Sequence, residues 1–209
     1  MSKIIVNETN YNYPWKGCGT TKEITGCRFS IAPMSDDYIN ILLNAIQKVD
    51  TSKVWSKTDK LSTIYRGKRI HVIDGVKACF IESYQEDVHM TLEATFSKGC
   101  PGDTEADSYL ATDDILINES NLTNKHFSVS SKISFYPLGT EEYMKHIAYV
   151  VNLAIRQNLY QQSAHYVSIL EGDVHDLFSY FNDVLAYAEQ YLSHYVLQVT
   201  LSVNSPSAM

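Results

Sequence analysis

CRFSIAPM, residues Cys27 to Met34, lies over SKISFYPL, residues Ser131 to Leu138, with Ser30 on Ser134 and Pro33 on Pro137. The offset is 137 − 33 = 104 and becomes 105 one residue into the next element, where DDYINIL (Asp36 to Leu42) lies over EEYMKHI (Glu141 to Ile147). At 105 the register continues through Thr63-Ile64 over Ser168-Ile169, Gly67 over Gly172, His89 over His194, Thr95 over Thr200, Ser97 over Ser202 and Pro101 over Pro206. Roughly 75 residues repeat per copy, longer than most solenoid units. The chain is a tandem duplication.

Within each copy the periodicity reads strand, helix, two strands, helix, strand. Cys27, Phe29 and Ile31 alternate with Arg28, Ser30 and Ala32, the pattern of a half-buried strand. Ser35 stands as an N-cap, with Asp36 and Asp37 behind it, for a helix over about residues 36–48. Val54 to Thr58 and Leu61 to Arg66 are strand-forming and separated by Asp-Lys. Gly67 opens a second helical stretch to Glu82, and Met90 to Ser97 alternate again. Copy two repeats this with a helix over 140–156, strands near 159–164 and 165–171, and Asp173 capping a helix with the stripe Val174, Leu177, Phe178, Phe181, Val184, Leu185 and Ala188. A last strand around Tyr195 to Leu201 closes the unit.

The expected class is therefore α+β: two tandem ferredoxin-like βαββαβ repeats, antiparallel sheets with helices on one face. The chain divides into an N-terminal extension (1–25), repeat one (26–98), an acidic linker (99–130) and repeat two (131–204). A short ordered piece is expected in the linker near Ile115 to Ile117.

The 209 residues are 44% hydrophobic with a formal net charge of −7, so the chain builds a real core and lacks the clustered cations that phosphate backbones require. No nucleic-acid partner is expected, and with no run of 18 apolar residues, no membrane insertion. The N-terminus has no signal-peptide core, which points to the cytoplasm. Cys18, Cys27, Cys79 and Cys100 form no CxxC pair and the histidines lack ligand spacing, so the thiols read as reduced and neither a metal nor a cofactor is expected. Sequons at Asn7, Asn118 and Asn121 then read as chance.

If apolar side chains face the helices, the open sheet face carries Ser30, Thr63, Thr95 and Ser97 in copy one, and Ser134, Ser168, Thr200 and Ser202 in copy two, interspersed with Tyr65, Tyr136 and Tyr166. Small hydroxyls in place of long charged residues suggest a surface covered by another sheet or a ligand, although Ser and Thr at sheet contacts are often merely structural. The fifteen tyrosines fit aromatic-ligand binding. The corner DTSKVWSKTD (Asp50 to Asp59) adds Thr51, Ser52 and Trp55. Its counterpart adds Tyr160 and Gln162, so each copy offers a ring for stacking on a flat heterocycle, with Met34 as a further apolar surface. The corners diverge, Thr51-Ser52 standing against Arg156-Gln157 and Arg66 against Glu171, so two sites would be unequal. Catalysis finds no support: Asp74 near His71 and Asp176 near His175 read as solvated helix faces, and GxSxG, HExxH and phosphate loops are missing.

The segments GCRFSIAPMSDD, LSTIYRG and TFSKGCPGDT of copy one, with YPLGTEEYM, HYVSILEGDVHDLF and LSVNSPS of copy two, strongly resemble the YkoF-type thiamine/hydroxymethylpyrimidine-binding family, from about Cys18 to Ser207. Copy two also resembles the single-repeat thiamine-binding relatives through Ser134 to Thr140, Glu142-Tyr143, Glu171 to Asp173 and Asp176 to Phe178. The resemblance implies a homodimer with one pyrimidine site per repeat, binding thiamine or hydroxymethylpyrimidine in vitamin uptake or salvage beside a transporter component. The alternative is an ACT-like regulatory subunit acting on a protein partner. An enzyme acting on the pyrimidine ranks last. Met1 to Gly17 departs from the family pattern.

Overall fold

The computed structural model describes residues 23–98 and 104–208. The extension up to residue 22, with Asn7, Cys18 and the start of the linker at 99–103 including Cys100, lies outside the described residues. Repeat one runs β1 (Thr25–Pro33), α1 (Tyr38–Ile46), β2 (Trp55–Thr58), β3 (Thr63–Gly67), α2 (Arg69–Ser83) and β4 (Met90–Lys98). A 3-10 turn (Asp107–Ala111) and the short α3 (Glu119–Leu122) connect to repeat two. This comprises β5 (Ser128–Leu138), α4 (Tyr143–Arg156), β6 (Tyr160–Ala164), β7 (Val167–Asp173), α5 (Val174–Tyr191) and β8 (His194–Val203).

The strands form one eight-stranded antiparallel sheet in the order β2-β3-β1-β4-β8-β5-β7-β6. Each half has the ferredoxin order, and β4 joins β8 in the middle. At that seam Ala94 pairs with Val199, its own counterpart since 199 − 94 = 105, so a pseudo-two-fold axis passes between them. Phe96 meets Leu197 and Leu92 meets Leu201 on the helix side, all fully buried. The strand alternation makes this core: every second residue of β1, β4, β5 and β8 points into one shared helix layer.

Three elements depart from expectation. Helix α1 begins at Tyr38, without a side-chain cap at Asp37. Ser35 Oγ instead accepts the Asp37 N–H at 3.2 Å, one turn early. Asp173 does cap α5, accepting the His175 N–H at 2.9 Å. Helix α2 is buried on all sides, because the connecting segment straps across its outer face. His71 and Asp74, expected on a solvated face, are each 2% exposed. His71 Nε2 donates to Asp113 O at 2.7 Å, and the Asn118 amide donates to Asp74 Oδ2 at 2.8 Å. Lys68–Asp114 and Lys77–Glu119 ion pairs at 2.8 and 2.7 Å hold the strap down. Its helical turns flank the expected piece at 115–117, and β5 opens at Ser128. The buried Asn118 is consumed by these bonds, which leaves its sequon without an accessible amide.

Candidate functional site

The β2–β3 hairpin decides where the hydroxyls point. Its turn is set by Asp59, whose Oδ1 accepts the Leu61 and Ser62 N–H groups at 2.8 and 3.0 Å. That register pairs Phe29 with Thr63 and Cys27 with Tyr65. Directly paired residues share a face, so Thr63 and Tyr65 lie on the helix side, not on the open face. Ser168, paired with Ile133, does the same in repeat two.

On the helix side this register builds a cavity of about 390 Å³ between the sheet, α1 and the hairpin of repeat one. Phe29, Ile31 and Tyr65 form its apolar floor, with Leu42, Ala45 and Ile46 of α1 as the roof. Hydroxyls come from Thr51 at the corner, Ser56 and Thr58 on β2, and Thr63 on β3. Thr58 and Thr63 Oγ1 are 3.0 Å apart, so one donates to the other and the second keeps a free proton and lone pairs for a guest. Deeper in, Tyr65 OH lies 3.3 Å from Cys79 Sγ, and Ser83 Oγ donates to Cys79 O at 2.8 Å. Burial pushes the Cys79 thiol up to about 11, despite the opposing Tyr65 hydrogen bond, and raises the Tyr65 phenol too. Both stay protonated at neutral pH, so this cavity offers neutral hydrogen-bonding groups and no thiolate nucleophile. At its rim the Asp59 carboxyl is held below its ordinary range, first by the Leu61 N–H and then by Arg28 at 3.0 Å.

The open face carries a second depression of about 560 Å³ astride the pseudo-two-fold axis. It gathers Ser30, Thr95, Ser134 and Tyr136, together with Thr200 and the charged Arg28, Glu93 and Lys132. Of the other expected residues, Ser97 and Ser202 sit on the same face at its two ends, Ser97 donating to Tyr195 O and Ser202 within 3.1 Å of His89 Nε2. Met34 is exposed beyond β1, and Ser52 closes a turn by donating its N–H to Asp50 at 2.8 Å. Ser30 borders both depressions.

Trp55 and Tyr160, aligned in sequence, face opposite ways. Trp55 pairs with Arg66, whose guanidinium lies 5.7 Å from the ring centre on the open side. A bulge at Gln161 shifts β6, pairs Tyr160 with Leu170 and turns its ring toward the core, with its hydroxyl 2.9 Å from Ser163. Gln162 pairs with Ile169 and points outward, exposed. The two corners therefore present their rings on opposite faces of the sheet.

Ser56, Thr58, Cys79 and Ser83 escaped the sequence reading, and Tyr65 lies on the face opposite to the one expected. One signal was available: against Tyr65 and Gly75 of repeat one stand Leu170 and Tyr180 of repeat two, a reciprocal exchange at the offset of 105. A Cβ on Gly75 would lie 3.1 Å from the Tyr65 ring, whereas Tyr180 fills that space from the helix and donates its hydroxyl to Val150 O at 3.0 Å.

The profile of the YKOF-related family matches residues 24–103 and 128–208, one match per repeat. A Bacillus subtilis (strain 168) protein named "Putative HMP/thiamine-binding protein YkoF" is 42% identical over 190 residues, covering 91% of this chain and 94% of that protein.

Proposed function

The chain belongs to the YKOF-related family, and from that premise we propose that it is a binding protein for thiamine or its hydroxymethylpyrimidine (HMP) precursor, with one site per repeat and unequal affinities. The observation that carries this reading is the repeat-one cavity. An aminopyrimidine is flat and apolar on its faces, with acceptor nitrogens and a donor amine at its edge. The cavity sets Phe29, Leu42 and Ile46 beside the hydroxyls of Thr51, Ser56, Thr58 and Thr63, and its volume of about 390 Å³ suits such a ligand. The ionised Asp59 at the rim favours the cationic thiazolium of thiamine.

Unequal affinity is supported by the corner of repeat two, where Arg156, Gln161 and Ala188 stand at the positions of Thr51, Ser56 and Ser83. The protonated state of Cys79 speaks for binding over turnover. The buried free thiols of Cys27 and Cys79 fit a reducing cytoplasm, and among the described residues no helix is long and apolar enough to cross a membrane. A homodimer through the axial depression is part of the same reading, since Ser30 and Ser134, Thr95 and Thr200, and Arg28 and Lys132 are paired about the two-fold. So is delivery of the vitamin to a transporter component.

Calorimetric titration with HMP and with thiamine tests the proposal. Heat in the micromolar range is expected, weakened about tenfold by Thr63→Val through loss of roughly one hydrogen bond. No heat with either ligand up to millimolar concentration would end it.

A further inference from the structure

Beside the start of α5 lie two histidines, His175 on the helix and His126 just before β5, whose tautomers are set by their neighbours. His126 Nε2 lies 3.0 Å from Thr123 O, and His175 Nε2 lies 3.1 Å from Lys125 O. A carbonyl only accepts, so both Nε2 atoms carry hydrogen, and in neutral imidazole both Nδ1 atoms then present lone pairs. Yet His126 Nδ1 lies 3.0 Å from Asp173 Oδ2, and His175 Nδ1 lies 3.8 Å from Glu119 Oε1. Lone pairs facing carboxylates repel one another unless a cation, either a proton or a metal ion, lies between them.

The geometry points to a binding site for one divalent transition-metal ion, held by His126, Asp173 and His175. One ligand atom from each lies within 4.8 Å of the others. Tetrahedral zinc, with bonds of about 2.0–2.2 Å, spaces its ligand atoms at roughly 3.3–3.6 Å. The His126–Asp173 pair is already that close, and His126, with its side chain 61% exposed, is free to swing in. Asp173 Oδ1 is occupied by capping His175 N–H, which leaves Oδ2 for the ion. The two Nε2–carbonyl bonds are the outer contacts that orient metal-bound imidazoles. Glu119, held by Lys77 at 2.7 Å, stays an outer neighbour. Two imidazoles and one carboxylate favour zinc, nickel or cobalt over magnesium or calcium. Repeat one has Lys68 and Ile70 at the positions of Asp173 and His175, so among the described residues it has no equivalent of this site. The ion would staple the end of the strap to α5, and this inference requires nothing about the pyrimidine.

The test is titration of the full chain, freed of metal by chelator, with cobalt followed by its absorption, then displacement by zinc. One equivalent bound at micromolar concentration is expected, with affinity falling as pH is lowered because protons compete with the metal for its ligands. Zinc should raise the melting temperature of the wild type but not of His126→Ala, whose affinity should fall at least about tenfold. His165→Ala, an exposed histidine elsewhere, should bind as the wild type does, and millimolar magnesium should not compete. No stoichiometric uptake, or uptake unchanged in His126→Ala, overturns the site.

Discussion

The two repeats share a backbone and differ in which layer supplies the bulk at one corner. In repeat one the large ring rises from the sheet as Tyr65 and the helix offers Gly75; in repeat two the sheet offers Leu170 and the helix sends down Tyr180. The first arrangement leaves a hydroxyl-lined cavity under α1. The second crosses the same space, because Tyr180 OH reaches Val150 O, at the position that Ala45 holds in the cavity roof. A duplicated fold can thus keep its backbone while one copy leaves open a space that a side chain crosses in the other.

The largest expected effect comes from making repeat one resemble repeat two. Tyr65→Leu combined with Gly75→Tyr should lose at least about tenfold in calorimetric affinity for the tighter ligand site while the chain stays folded by circular dichroism. Retained affinity would show that the cavity is not the site. Asn118→Ala strips the strap of the side-chain amide that donates to buried Asp74 Oδ2, and should cost about 1–3 kcal/mol, read as a shift in the urea midpoint. The second helix of repeat two contributes no counterpart of that buried carboxylate, since Ser179 stands at the position of Asp74.

A smaller contrast lies in pH. The Cys79 thiol ionises near 9.0 when unfolded and is pushed up to about 11 in the fold, so the folded state holds its proton longer. The stability linked to this proton is complete below pH 9 and declines as pH rises toward 11. Cys79→Val, which copies Val184 of repeat two, should flatten that decline in denaturation curves measured between those pH values. The smallest effect is expected for Trp55→Ala: its ring lies against Arg66 on the far side of the sheet, so ligand affinity should change by less than about twofold.

Much of this architecture was legible in the chain. The alternations of Cys27 to Ile31 and Met90 to Ser97 place side chains on faces by local geometry alone, and the offset of 105 reports the duplication directly. The face of Thr63 was not legible, because it depends on which residue of β1 the hairpin meets, a tertiary matter. Nor was the burial of His71 and Asp74, which comes from a strap far along the chain. Trp55 and Tyr160 were separated by a single bulged residue, Gln161, which no periodicity announces.

The pairing of Ala94 with its own counterpart Val199 carries an evolutionary implication. A single-repeat ancestor could form the same seam with a second copy of itself, strand edge against strand edge. Gene fusion would then have converted a symmetric pair into one polypeptide, closing the sticky edges permanently and freeing each half to specialise. The exchange of Tyr65 and Gly75 for Leu170 and Tyr180, and the histidines present beside α5 alone, are what that freedom allowed.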